Sequence, residues 1–227
     1  MTQGLETSSE TVQDATRVLI VDDHDLFRTG LRNLLEDQGV NVVGEASTGE
    51  EAVRAVRQTA PDVVIMDLNM PGMSGVEATR HISADAPLTR VVVLTISDQD
   101  SDVMNAILAG ACGYLLKDSS IQDLMRGISS AAVGESLISP HIATKVLQRV
   151  RASTTLPDAA ETIRAELSDR EIEVLKLIAN GKDNAVIAGE LCISPKTVKN
   201  HISNILMKLQ IQNRIQAAVF AVRSGIV

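Results

Sequence analysis

The chain has 227 residues, of which 44% are hydrophobic and 22% charged, and a net charge of −8. That is longer than the usual single domain and apolar enough to bury real cores, so two compact domains are expected and a disordered chain is excluded. No apolar run nears the roughly 20 residues of a membrane span, and Met1–Thr16 is polar with no apolar segment of a signal peptide, so a cytoplasmic protein is expected.

The charge divides unevenly. Residues 166–227 hold eight Lys/Arg against six Asp/Glu, a balance of +2, whereas residues 1–165 hold 13 against 23, a balance of −10. An acidic part suits a bound cation and a basic part suits phosphate. Phe27, Tyr114 and Phe220 are too few to stack the bases of single-stranded nucleic acid. Cys112 and Cys192 are far apart and lack cysteine or clustered histidine neighbours, so two reduced thiols are expected, with neither zinc nor a disulfide.

Residues 1–16 read as a flexible tail. From Arg17 onward, short β-branched runs alternate with helical periodicity. Strands are predicted at Arg17–Val21, Asn41–Ala46, Asp62–Met66, Val91–Thr95 and Gly113–Leu116. Leu26, Leu31, Leu34 and Leu35 mark one intervening helix; Ala52, Val53 and Val56 mark the next, opened by a capping box of Thr48 and Glu51. Such alternation predicts a doubly wound α/β domain, a five-stranded parallel sheet covered on both faces, over residues 17–135.

Ligands of such sheets bind beyond the carboxyl ends of the strands. Here those ends carry Asp22 and Asp23, Asp67, Thr95 and Lys117. A single strand-end aspartate is usually a cap or turn residue, and a lone lysine or threonine is usually solvated surface. All five on one rim are not explained that way. Crowded carboxylates call for an oxygen-liganded cation such as Mg²⁺. Beside it, Asp67 could attack a phosphoryl group, with Lys117 and Thr95 balancing and hydrogen-bonding the transferred phosphate. His24 is read as the start of the first helix rather than a ligand, because Mg²⁺ prefers oxygen. Pro71, Gly72 and Gly75 read as turn punctuation beside the site.

The segments Val-Asp-Asp-His (21–24), Met-Asp-Leu-Asn-Met-Pro-Gly-Met-Ser-Gly (66–75), Leu-Thr (94–95) and Gly-Tyr-Leu-Leu-Lys-Asp (113–118) resemble the receiver domain of bacterial two-component response regulators. The resemblance implies a flavodoxin-like fold with Asp67 as phosphoacceptor. Asp22, Asp23, Asp67 and the main-chain carbonyl of Asn69 become Mg²⁺ ligands, Thr95 and Tyr114 a switch pair, and Lys117 a phosphate-binding lysine. Asn69 and Ser97 would flank the phosphoryl group.

After Gly134 the pattern changes. Ser139-Pro140 opens a helical stretch carrying Ile142, Val146, Leu147 and Val150, and residues 152–165 are small and polar, so 136–165 read as a linker helix and linker. The remainder, 166–227, is helical throughout. Ser168 and Glu171 form a capping box, Gly181 stops that helix, Asp183 caps a short one, and Ser194-Pro195 starts another running to about Lys208. Asn213 caps a last helix over 214–224. The short turn at 192–194 makes the middle pair a candidate helix-turn-helix. On the Pro195–Lys208 helix, Val198, Ile202, Ile205 and Leu206 share one face, and Lys196, Lys199, Asn200, Ser203 and Asn204 the other. An amphipathic surface helix is the ordinary reading. This one has no acidic residue from Ser194 to Val227, and its lysines and amides suit phosphates and base edges of the major groove.

Leu-Ser-Asp-Arg-Glu-Ile-Glu-Val-Leu (167–175), Ile-Ser-Pro-Lys-Thr-Val-Lys-Asn-His (193–201) and Ile-Leu-Met-Lys-Leu (205–209) resemble the LuxR-type helix-turn-helix of the NarL/FixJ response regulators. That resemblance implies a four-helix DNA-binding domain reading DNA through Lys196, Thr197, Lys199, Asn200, Ser203 and Asn204, with a dimer contact along 214–224. Ala185 stands where the family usually carries a basic residue. The whole reads as a phosphorylation-controlled transcription regulator and not an enzyme. Its implied partners are a cognate sensor histidine kinase, double-stranded promoter DNA, a second copy of the chain and RNA polymerase, with no membrane. A phosphohydrolase using Asp67 would need a carboxylate two residues on, where Asn69 stands. A regulator working without phosphorylation is the remaining alternative, and the intact acidic set argues against it.

Overall fold

A computed structural model describes residues 15–138, Ile142, Val146 and 166–227. The N-terminal unit runs β1 (Arg17–Val21), α1 (Asp25–Asp37), β2 (Asn41–Ala46), α2 (Gly49–Thr59), β3 (Val63–Met66), α3 (Gly75–Asp85), β4 (Arg90–Thr95), α4 (Asp100–Ala109), β5 (Gly113–Leu116), α5 (Ile121–Ala132) and β6 (Leu137–Ile138). The strands are short, and the inner ones, β1, β3, β4 and β5, are rich in Val, Ile and Leu and almost wholly buried, as strands covered on both faces must be. They pair in parallel in the order β2-β1-β3-β4-β5-β6. Leu31 and Leu35 of α1 pack with Leu124 and Ile128 of α5 on one face; Ala52 and Val56 of α2 and Ala78 and Ile82 of α3 cover the other.

The sheet has six strands where five were expected. Leu137 and Ile138 pair with Gly113 and Tyr114. Two residues are too few to show an alternating pattern, so this edge strand was hidden within the expected linker. Two other boundaries move by one residue: Asp62 lies outside β3 and accepts from the Arg17 amide at 2.8 Å, and Arg90 joins β4.

Caps hold the helices in place. The Thr48 hydroxyl accepts from the Glu51 amide, but the Glu51 carboxylate turns to the Ser47 amide and hydroxyl instead of closing the expected box. Reciprocal boxes form at Ser74/Glu77 and Ser168/Glu171. The first of these was not foreseen.

The C-terminal unit is α6 (Asp169–Ala179), α7 (Asn184–Leu191), α8 (Pro195–Lys208) and α9 (Arg214–Arg223). Asp183, Ser194 and Asn213 cap α7, α8 and α9 as expected. Val174, Leu175, Ile178, Ile187, Val198, Ile202 and Ile205 form a core of their own. Cys192 takes a left-handed conformation, φ 53°, in the turn between α7 and α8. Of the expected linker helix only Ile142 and Val146 are described, both helical and buried; the rest lies outside the described residues.

Candidate functional site

Register builds the rim. Val21 pairs with Met66, and Met66 with Val93, so Asp22 and Asp67 leave adjacent strands side by side where the strand order reverses. Thr95 pairs with Leu116, which brings Lys117 to the same edge. Asp22, Asp67 and Thr95 are buried. Buried carboxylates need partners. The Lys117 ammonium supplies one to each, 2.6 Å from Asp22 and 2.8 Å from Asp67. Burial opposes the charge on Lys117, but its hydrogen bonds to Asp22 and Asp67 outweigh that and hold its pKa above the ordinary lysine value. Asp67 Oδ1 also accepts from the Leu68 amide at 2.7 Å, and Asp22 Oδ1 from the His24 amide at 2.9 Å.

Asp23 completes the cluster. Ligand atoms of Asp22, Asp23, His24 and Asp67 all lie within 4.8 Å of one another. Asp23 Oδ1 is buried and makes no hydrogen bond, although His24 Nδ1 stands 2.8 Å away. An orphaned carboxylate oxygen beside two further carboxylates fits a hard cation. His24 does start α1, as its N-cap, and is mostly exposed, yet its ring leans over the cluster instead of pointing wholly into solvent. Asn69 is exposed two residues past Asp67.

Gly75 has a sharper reason than loop punctuation. Its amide donates to the Leu68 carbonyl at 3.0 Å, and a Cβ there would stand 1.9 Å from the Asp67 carbonyl oxygen. Only glycine lets α3 start that close to the aspartate.

Thr95 and Tyr114 are both fully buried. The Tyr114 hydroxyl donates to the Ser97 carbonyl at 2.8 Å, and burial pushes its pKa up, with Asp102, Asp98 and Asp67 adding to the rise. Ser97 is tied to Asp102 of α4 through its hydroxyl.

The cationic helix is presented as expected. On α8, Val198, Ile202 and Ile205 are buried, Lys196, Lys199, Asn200, Ser203 and Asn204 are exposed, and Thr197 is half-buried beside Ser194. Ala185 is exposed on α7.

The units touch mostly through residues outside the motifs, with Tyr114 and Lys199 as exceptions. Ile215 and Val219 of α9 join Val103, Met104, Ile107, Tyr114, Ile142 and Val146 in one apolar cluster. Gln216 Nε2 donates to the Ile107 carbonyl at 2.9 Å, and Asn213 Nδ2 to the Ala111 carbonyl at 3.0 Å. Glu135 accepts from Asn184 at 3.0 Å and stands 3.7 Å from the Lys199 ammonium. Arg214 donates to Asn184 at 2.6 Å; burial lowers its pKa against the opposing pull of Glu135 and Asp183. Gly110, φ 113°, leaves room for this contact, since a Cβ there would stand 2.3 Å from Gln212 Oε1.

This fold and rim define a receiver domain joined to a helix-turn-helix, and the comparisons with known proteins agree. The response regulator receiver domain family matches residues 18–129, and the luxR family of bacterial regulatory proteins matches 165–221. The transcriptional regulatory protein LiaR of Bacillus subtilis (strain 168) is 45% identical over 214 residues, 93% of this chain and 99% of its own. Among solved structures, a LuxR-family two-component response regulator from Aurantimonas sp. SI85-9A1 has a TM-score of 0.57 at 38% identity, covering 61% of this chain and 99% of its own. RcsB from Salmonella enterica serovar Typhimurium, bound to promoter rprA, has a TM-score of 0.53 at 26% identity over 93% of this chain and 100% of its own. The chain belongs to the two-component response regulators with a LuxR-type DNA-binding domain: it is a transcription regulator and not an enzyme. Among the described residues no helix is long and apolar enough to cross a membrane.

Proposed function

We propose that Asp67 accepts a phosphoryl group from a sensor histidine kinase in the cytoplasm, and that the phosphorylated chain binds promoter DNA as a dimer to control transcription. The observation that carries this is the Lys117 ammonium held between Asp22 and Asp67 on one buried rim. An Asp67 carboxylate oxygen attacks phosphorus as the bond to the phosphohistidine nitrogen breaks, and the imidazole leaves with its electron pair and takes up a proton. Asp22, Asp23, Asp67 and the Asn69 carbonyl would hold Mg²⁺, which when bound neutralises charge on the transferring oxygens. Lys117 then exchanges an aspartate oxygen for a phosphate oxygen, and the buried Thr95 hydroxyl offers it a hydrogen bond.

Output follows from the contact between the units. With α9 against α4, the helix expected to pair two copies is covered, and Lys199 faces Glu135. Phosphate on Asp67 would draw Thr95 inward, release Tyr114 and loosen the α4 surface on which α9 rests. Lys196, Thr197, Lys199, Asn200, Ser203 and Asn204 then meet DNA, and α9 meets its counterpart. RNA polymerase is the expected downstream partner.

Phosphate-affinity electrophoresis after incubation with a small phosphodonor tests the chemistry. Wild type with Mg²⁺ should shift; Asp67→Asn and a chelated sample should not. An equal shift in Asp67→Asn would remove Asp67 as the acceptor.

A further inference from the structure

The ammonium of Lys117 has a third neighbour besides the two aspartates. Its Nζ sits 4.6 Å from the centroid of the Phe27 ring. Phe27 lies in the first turn of α1, three residues after His24, and packs half-buried against the core shared by α1 and α5. With Leu31, Leu94 and Leu124 it lines a groove of about 400 Å³ that reaches Lys117. The lysine is thus enclosed, its side chain only 13% exposed, with two carboxylates on one side and an aromatic face on another.

A lysine stem is long and flexible, and its ammonium is a point charge without the fixed fork of an arginine. Holding that charge in one place takes more than an attractive carboxylate, because the carboxylates change during phosphoryl transfer. Asp67 becomes an acyl phosphate, and Asp22 turns to the cation. In those steps the hydrogen bonds that fix Lys117 in the resting protein are weakened. The ring face, whose negative quadrupole attracts a cation, stays where α1 puts it.

We propose that Phe27 is a positioning residue: its ring holds the Lys117 ammonium within reach of Asp67 while the lysine changes oxygen partners. This rests on the reading of Asp67 as phosphoacceptor. Phe27→Leu keeps an apolar side chain in the groove and removes the π face; Phe27→Tyr keeps both. With a small phosphodonor and Mg²⁺, the phosphorylation rate should fall between about three- and thirtyfold in Phe27→Leu and stay within about twofold of wild type in Phe27→Tyr.

A second readout needs no phosphorylation. The Lys117 Hε resonances should lie upfield in wild type and Phe27→Tyr through the ring current, and return toward ordinary lysine positions in Phe27→Leu. Equal rates in all three proteins would overturn the proposal, as would equal slowing in Leu and Tyr, which marks packing alone. If wild type takes no label, the Asp67 reading falls and the positioning role falls with it. Labelled wild type with an indifferent Phe27→Leu overturns Phe27 alone.

Discussion

The two units present their chemistry in opposite ways. The receiver buries it: Asp22, Asp67 and Thr95 are hidden at strand ends, and the burial forces a partner on each charge, so Lys117 stands between the aspartates. The DNA-binding unit exposes it: Lys196, Lys199, Asn200, Ser203 and Asn204 lie on the exposed face of α8, over a packed apolar face beneath. A buried charge constrains its neighbours, and an exposed one does not. The receiver site is therefore built by many mutual contacts, whereas the exposed face of α8 is defined by composition. What joins the two is a polar and apolar contact between α4 and α9, with Glu135 reaching toward Lys199.

The largest expected effect breaks that join. A fragment of residues 152–227 has the α6–α9 core but no receiver against it, so its DNA affinity should exceed that of the unphosphorylated full chain. If the docked arrangement holds 90–99% of the chain, release raises affinity about 10–100-fold. In the full chain, Gln216→Ala and Glu135→Gln each remove part of the contact and should move affinity the same way by less. Titrating one operator with the four proteins settles it; equal affinities would leave phosphorylation acting through dimerisation alone.

How much of this could be read in the sequence follows from the same contrast. The rim was legible because its residues sit at the ends of strands whose period places them: Asp22, Asp67, Thr95 and Lys117 converge in the structure as their positions require. The split of α8 was legible from its 3.6-residue period. Three features were not. Leu137–Ile138 is too short to show a strand pattern. The Glu51 carboxylate had two nearby partners, and spacing alone did not reveal its choice of Ser47. Gln216 and Ile107 touch across 109 positions, and a glutamine on a helix has no pattern that announces a distant partner. Phe27 was visible as one of few aromatics, but its place over Lys117 depends on where the first turn of α1 sits relative to the chain leaving β5.

A smaller effect probes the exposed face. Lys199→Ala and Lys196→Ala should each weaken DNA binding. A lysine on phosphate flattens the dependence of log affinity on log salt by about one unit and acts on all sequences; a lysine on a base costs about 1–3 kcal/mol at one position of the operator. Lys199 carries a second effect that Lys196 lacks, since it faces Glu135. Its loss should weaken DNA binding more in the 152–227 fragment than in the full chain, where release of the docked state offsets part of the cost. Unchanged affinity and slope in both variants would reject α8 as the DNA face.

The smallest effect concerns the one buried acid of the DNA-binding unit. Glu171 is 3% exposed and accepts from the Ser168 amide at 2.8 Å and the Lys208 ammonium at 2.7 Å. Burial raises its pKa, but the hydrogen bonds from Lys208 and Ser168 outweigh this and hold it below the ordinary 4.5. A depressed folded pKa means the stabilisation is present above the unfolded value and is lost as pH falls through the folded one. Lys208 is itself 36% exposed, so solvent screens the pair and its share is about 0.5–1 kcal/mol. Lys208→Met keeps the apolar stem and removes the charge. At pH 7 the variant fragment should unfold at slightly lower denaturant. As pH falls below the ordinary carboxylate range and on through the lowered folded pKa, wild type should lose that advantage and the two curves should converge. A difference that persists undiminished once Glu171 is protonated would mean that Lys208 stabilises α6 through its stem and not through the Glu171 charge.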